Sequence, residues 1–389
     1  MVTAERLDGI DEYFFSKKLR EIEIMNLAGK EVINLGIGSP DLPPHPMVVD
    51  TLYAESLKSQ QHGYQNYKGH IILRNAISTW YKKYYNVTLD AATEILPLIG
   101  SKEGIMHVCM TFLNKGDKVL IPNPGYPTYT SVAKIAGATC IDYLLTETNN
   151  WFPDLNSLEA SDLSGVKLMF VNYPQMPTGQ LPTKELFESL VAFAKKYSII
   201  ICHDNPYSFI LNPSPMSMLS VDGAMDVVVE LNSLSKSHNM AGWRVGMLVG
   251  REQIISQVLR FKSNMDSGMF LPLQLAAARA LELGQDWFDQ LNQVYEKRRK
   301  KVFGLLEILN CSFDQGQAGM FVWAKIPPSF INSFVFSEEI LTQANVFITP
   351  GGIFGSEGEQ FVRVSLCSPE EKIELACGRI QSFFKFLTE

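Results

Sequence analysis

Short, continuous apolar runs alternate with longer segments of helical period through most of the chain. The runs are "DKVLIP" at 117–122, "KLMFV" at 167–171, "SIIICH" at 198–203, "DVVVEL" at 226–231 and "RVGMLVG" at 244–250. Helical patterns at 72–85, 101–113 and 183–197 separate several of them. A strand apolar on both sides belongs in a sheet covered on both faces, so this alternation predicts an α/β fold around a mostly parallel sheet. A long helical region follows from about 271 to 310, and the strands "MFVWAKI" and "QFVRVSL" with a terminal helix predict a smaller α+β unit. Ahead of the alternation, 12–30 reads as a charged helical arm, and 32–46 as a short strand entering a Gly/Pro-rich loop. The expected organisation is an arm over 1–45 contributing to the small domain, a large domain over 46–285 and a small C-terminal domain over 286–389.

Composition narrows the class. A chain of 389 residues exceeds what one core usually holds, and 46% hydrophobic against 19% charged residues is ordinary for a globular protein. A net charge of −7 without a basic stripe argues against a nucleic-acid surface. Six scattered cysteines without a CxxC pair suit reduced thiols. No signal-peptide pattern and no apolar stretch of the ~20 residues needed for a membrane span are found, so a cytoplasmic protein is expected.

In open α/β sheets, ligands bind beyond the carboxyl ends of the strands. After "KLMFV" comes Asn172, after "SIIICH" comes Asp204, and after "DVVVEL" comes "NSLSK" with Lys236. A lysine whose pKa is lowered by burial or by cations is a nucleophile that forms Schiff bases. Ser233, Ser235 and Arg244 beside it suit a phosphate dianion. An aldehyde-binding lysine next to a phosphate site points to pyridoxal phosphate; a snorkelling lysine is the alternative. Asp204 suits a protonated pyridine nitrogen, with a helix cap as its alternative role. Tyr207 lies three residues on and can donate to a phenolate oxygen of the same ring. Gly100 and Ser101 open a helical pattern, where backbone N–H groups bind phosphate or simply form a cap. Tyr126, after the turn "PNPGYP", can stack on a planar ring or fill a core. Arg363 in "FVRVSL" can fork a carboxylate or make a surface salt bridge. Each motif is weak alone; the set describes one cofactor and its amino-acid substrate.

These residues sit in a longer series: "LGIGSPDLP", "HGYQNYKGHIILR", "GSKEG", "GDKVLIPNPGYPTY", "NYPQMPTG", "HDNPYS", "SLSKSHNMAGWRVG" and "FVRVSL". In this order they resemble the class I/II aminotransferases of pyridoxal-phosphate fold type I, over nearly the whole chain. The arm "DEYFFSKKLREI" looks most like the LL-diaminopimelate and aspartate-type group. The resemblance implies a ping-pong aminotransferase acting on an L-amino acid and a 2-oxo acid. It makes Lys236 the Schiff-base lysine and proton shuttle, Asp204 the partner of the ring nitrogen, Tyr207 the donor to O3′ and Tyr126 the stacking ring. Gly100, Ser101, Lys102 (through its backbone), Ser233, Ser235 and Arg244 are implied to hold the phosphate. Tyr64 is implied to reach it from the other subunit of a homodimer, and Gly38 and Arg363 to hold the substrate carboxylate. Asn172 is expected to shape its loop.

One position departs from the family pattern. Met176 stands where the asparagine of Asn-Pro-Thr-Gly donates to O3′, and a thioether cannot donate. Gln175 is the residue able to replace that donor if the loop shifts. Lys17, Lys18, Arg20 and Lys262 are candidates to meet an acidic substrate side chain, with surface solvation as the alternative. A β-lyase or decarboxylase of the same fold is the alternative enzyme, and a non-catalytic regulatory cofactor-binding module the alternative class. No metal is expected.

Overall fold

The computed structural model describes the backbone of residues 3–388 and side chains through Ser382. Its main sheet has seven strands in the spatial order 95–98, 246–250, 228–233, 200–204, 166–172, 118–123 and 139–144. The last five in that order run parallel to one another. Residues Gly246–Gly250 run antiparallel to both neighbours, which corrects the expectation that the run at 244–250 joins the parallel set. The connection explains it. A parallel return needs a crossover of about a dozen residues or more, usually helical. Here the chain turns back through Leu234–Ser237 and a short 3₁₀ segment, Ala241–Trp243.

Two strands of the main sheet escaped the sequence reading. Ile95–Leu98 is only four residues long, and Thr139–Leu144 is an edge strand with exposed and half-buried positions. Neither presents a long apolar run.

The intervening helices follow their local signals. Lys184–Tyr197 starts where the Thr183 side chain accepts from the Leu186 N–H, and ends at Ser198 in the left-handed region with φ 54°. It buries Leu186, Phe187, Leu190, Val191, Phe193 and Ala194 on one face. Each large apolar side chain so buried contributes about 1.5–3 kcal/mol. Helix Ser101–Phe112 begins at Gly100, whose φ of 82° a side chain would strain.

Residues 321–325, 361–365 and 349–350 form a separate antiparallel sheet. Ile33–Asn34 pairs in parallel with Val346–Phe347. An apolar cluster joins Ile33 and Leu35 to Leu291, Val302, Val322 and Val364, so residues near the N-terminus pack into the C-terminal part. The helical region from 271 divides into Leu271–Ala280 and Gln285–Ile308.

Candidate active site

The carboxyl ends of three adjacent strands deliver Asn172, Asp204 and Ser233 to one edge of the main sheet. There they meet a cavity of about 530 Å³, which the small sheet closes with Phe321 and Arg363. Gly38, Ser101, Lys102, Tyr126, Tyr207 and Lys236 also line it, together with Ser235 and Arg244. The cavity thus gathers all but two of the expected site residues. Gly100 lies just behind Ser101, and a Cβ on it would collide with the Arg244 guanidinium. Tyr64 is 95% exposed on this chain and lies outside the cavity.

Lys236 follows the buried strand in a single helical turn. Its Nζ donates to the Gly38 carbonyl at 2.7 Å. Burial lowers its pKa below the usual lysine range, with Arg363 and Arg244 adding to the effect. Beside it, the Ser233 hydroxyl is 2.8 Å from that of Ser235 and also accepts the Ser235 N–H. Arg244 sits in the left-handed region with φ 55°, and its Nη1 donates to the Ala241 carbonyl at 2.9 Å.

Asp204 is buried. Tyr129 donates to its Oδ2 at 2.8 Å, while Oδ1 has no partner among the described residues. Burial raises the carboxyl pKa to about 6, against the lowering effects of the Tyr129 hydrogen bond and of His203. The helix-cap role is not what this carboxylate performs. Tyr129 was missed by the sequence reading, although it lies one helical turn after Tyr126. Its ring stacks on Phe170 at 4.6 Å.

Asn172 holds the site together. Its Nδ2 donates to the Asp204 carbonyl at 2.6 Å and its Oδ1 accepts the Met176 N–H at 2.8 Å. Gln175 is spent: its amide donates to the Pro124 carbonyl and accepts the Thr178 N–H, both at 2.9 Å. It therefore does not stand in for the missing asparagine. Met176 itself faces the cavity with Sδ 3.2 Å from Arg363 Nη1.

Arg363 is buried, and no carboxylate pairs with it among the described residues. Its surface salt-bridge reading is excluded. Nη2 donates to the Gly36 carbonyl at 3.1 Å, and Nε has no partner. The rings of Phe321, Phe354 and Phe15 surround the guanidinium at 3.8, 4.7 and 5.6 Å. Burial pulls its pKa down to about 10.

The cations considered as readers of an acidic side chain are engaged elsewhere or face water. Lys262 is buried and pairs with Asp266 at 2.7 Å, which corrects its solvated reading. Lys18 bridges Glu21 and Glu338, Arg20 pairs with Glu12, and Lys17 is exposed.

The family model described as "Aminotransferase class I and II" matches residues 30–380. An LL-diaminopimelate aminotransferase of Dehalococcoides mccartyi is 38% identical over 99% of this chain and 100% of its own length. One from Aquifex aeolicus is 37% identical over 97% and 98%. The substrate-bound BacF structure from Bacillus subtilis superposes with a TM-score of 0.94 at 36% identity, covering 98% of each chain. An aspartate aminotransferase structure from Thermotoga maritima gives 0.90 at 26% identity, covering 98% of this chain and 100% of its own.

Proposed function

We propose that Lys236, Asp204, Tyr207 and Arg363 are the working groups of this chain, which belongs to the class I and II aminotransferase family. It is a pyridoxal 5′-phosphate-dependent aminotransferase of fold type I, and its relatives lend the lyase alternative no support. The observation that carries the residue assignment is one cavity holding both a half-buried lysine and a buried carboxylate oxygen without a partner among the described residues. That pair fits the cofactor: an aldehyde takes the amine, and a protonated ring nitrogen satisfies Asp204 Oδ1. Ser101, Ser233, Ser235 and Arg244 supply donors for its phosphate, and Gly100 leaves room for the guanidinium.

When bound, pyridoxal 5′-phosphate supplies the aldehyde that takes the amino group and a ring that accepts electron density from the substrate Cα. The chain does the rest. Lys236, whose pKa burial lowers, would take the proton from the substrate Cα and deliver it to C4′ of the cofactor, with the reverse transfer in the second half-reaction. Asp204, braced by Tyr129, keeps the ring nitrogen protonated, and Arg363 fixes the α-carboxylate so that Cα faces Lys236. Tyr126 would stack on the ring and Tyr207 would donate to its O3′ oxygen. Amino donor and oxo acceptor use the same cavity in turn, which is a ping-pong scheme.

The homodimer belongs to this proposal. Tyr64 is exposed, yet its loop is firmly built: Gly268 packs on the Gln65 and Asn66 carbonyls, and Lys262 Nζ lies 3.4 Å from the Tyr67 carbonyl. A fixed loop presenting a bare tyrosine suits donation to a partner's phosphate site. Residues 1–45 with 286–389 form the small domain in this reading, and 46–285 the large one. No helix among the described residues is long and apolar enough to cross a membrane, and cytoplasmic location remains part of the proposal. The LL-diaminopimelate of the relatives' names is one candidate donor.

Borohydride reduction of the loaded protein followed by peptide mapping tests the assignment. A pyridoxyl group on Lys236 is expected; one on another lysine refutes it. An amino acid alone should bleach the cofactor band and a 2-oxo acid restore it. Release of ammonia and pyruvate from cystathionine without that cycle would favour the lyase.

A further inference from the structure

We propose that Asp41 and Arg298 are a positioning pair that sets Gly38 against Arg363 for the substrate's α-carboxylate; this rests on the aminotransferase reading above. Arg298 lies on helix Gln285–Ile308 and is buried. Its Nη1 and Nη2 donate to the two Asp41 carboxylate oxygens at 2.7 and 2.8 Å, a planar fork that spans 257 positions of the chain. Nη1 also donates to the Leu366 carbonyl at 3.1 Å. Asp41 follows Gly38 by three residues, and Leu366 follows Arg363 by three. One guanidinium thus holds the far ends of the two segments expected to share the carboxylate.

The near ends are joined as well. The Ser365 N–H donates to the Leu35 carbonyl at 2.7 Å. Arg363 Nη2 and the Thr349 hydroxyl both donate to the Gly36 carbonyl, at 3.1 and 2.9 Å. A Cβ on Gly38 would collide with the Phe321 ring, over which the Arg363 guanidinium lies at 3.8 Å. The backbone at Gly38 therefore rests on the ring that also carries the arginine. From the main sheet, Lys236 Nζ donates to the Gly38 carbonyl at 2.7 Å. Asp41 is the one charged residue of the stretch 37–43, and Pro40 fixes the backbone between it and Gly38. A shift at Asp41 is then passed to Gly38 rather than absorbed. A charge-assisted fork fixes both distance and plane, which a lone hydrogen bond does not. All these contacts lie within one chain, so they do not depend on a second subunit.

The test sets Asp41→Asn and Arg298→Lys beside the unsubstituted protein, each loaded with pyridoxal 5′-phosphate. Asparagine keeps the shape of a side chain that is 25% exposed, so Asp41→Asn is the milder change should the buried arginine tolerate none. L-Alanine, L-phenylalanine, L-glutamate and LL-diaminopimelate are compared in the half-reaction. The half-saturation concentration should rise about 10-fold for every donor that reacts, with the limiting rate and the cofactor affinity unchanged. The double variant should show the same rise, because two residues acting as one unit do not add; a rise of about 100-fold, the product of the single effects, overturns the pair. Propionate binding, followed by proton NMR line broadening, should weaken by the same factor and reads the carboxylate site without chemistry. Lower thermal stability with unchanged half-saturation and propionate binding would make the pair a structural brace only and overturns the inference. A loss confined to one class of donor overturns it too. If the unsubstituted protein converts no donor, the aminotransferase reading falls, and the propionate titration alone decides the pair's role.

Discussion

Two deeply buried polar side chains, Glu230 behind the main sheet's edge and Arg363 on the small sheet, are treated in opposite ways. Glu230 accepts from Tyr81 at 2.9 Å, Ser217 at 2.7 Å and the Met218 N–H at 3.1 Å, and lies 2.9 Å from His203 Nδ1. His203 Nε2 meets the Tyr173 carbonyl at 3.1 Å; a carbonyl only accepts, so that nitrogen donates. Arg363 has a carbonyl, a thioether and three aromatic rings and, among the described residues, no carboxylate. A buried ionisable group with every partner in the chain is part of the architecture. One left without a counter-charge is costly unless a ligand supplies it. The contrast separates a network satisfied within the chain from a buried charge left for a ligand to satisfy in the proposed reading.

The contrast breaks most visibly at Glu230. Glu230→Leu strands the donors of Tyr81, Ser217 and Met218, so unfolding free energy should fall by ~3–5 kcal/mol, read by denaturant titration with cofactor bound or absent. A loss seen only in substrate binding would place Glu230 with the ligand groups instead.

Asp204 lies between the two cases, with one oxygen paired and one waiting. In the folded, cofactor-free protein it keeps its proton up to about pH 6, against an ordinary value of 3.8. Between those values the unfolded chain releases the proton while the folded one holds it. This group's contribution to stability therefore falls as pH rises from about 4 to about 6 and stays low above. Asp204→Asn should be more stable than the unsubstituted cofactor-free protein by on the order of 3 kcal/mol at pH 7, with the difference vanishing below about pH 4. Equal stability at pH 7 would mean the carboxylate is better solvated than its burial implies.

Arg363→Lys keeps a charge but loses the planar pair of donors. Catalytic efficiency should fall on the order of 100-fold for every amino donor alike, with stability nearly unchanged. A loss confined to acidic donors would move Arg363 from the α-carboxylate to the side chain.

The smallest effect concerns Met176. Met176→Asn replaces a weak sulfur acceptor beside Arg363 with an amide oxygen, and should stabilise the cofactor-free protein by ~1 kcal/mol. If the new N–H₂ group also reaches the ring oxygen, the spectral pH titration of the loaded protein should shift to lower pH. Gln175→Ala should leave that titration in place, since the Gln175 amide is spent on Pro124 and Thr178.

Local pattern determined much of this protein. Continuous apolar runs marked the inner strands, and the polar residues that follow them, Asp204 and Lys236 among these, are the ones the sheet edge presents. Both signals lie within a few residues of one another, where the strand's period and its end are written in adjacent side chains. Tertiary structure alone decided the direction of Gly246–Gly250, the burial of Lys262, the Tyr129 brace and the Glu230 network. It also decided that the arm at 13–19 meets Arg363, more than 300 positions away, and that no carboxylate among the described residues does. An arginine on an alternating strand reads the same whether it faces water, a glutamate or an aromatic cage. What surrounds a charge depends on elements distant in sequence, and only packing brings them together.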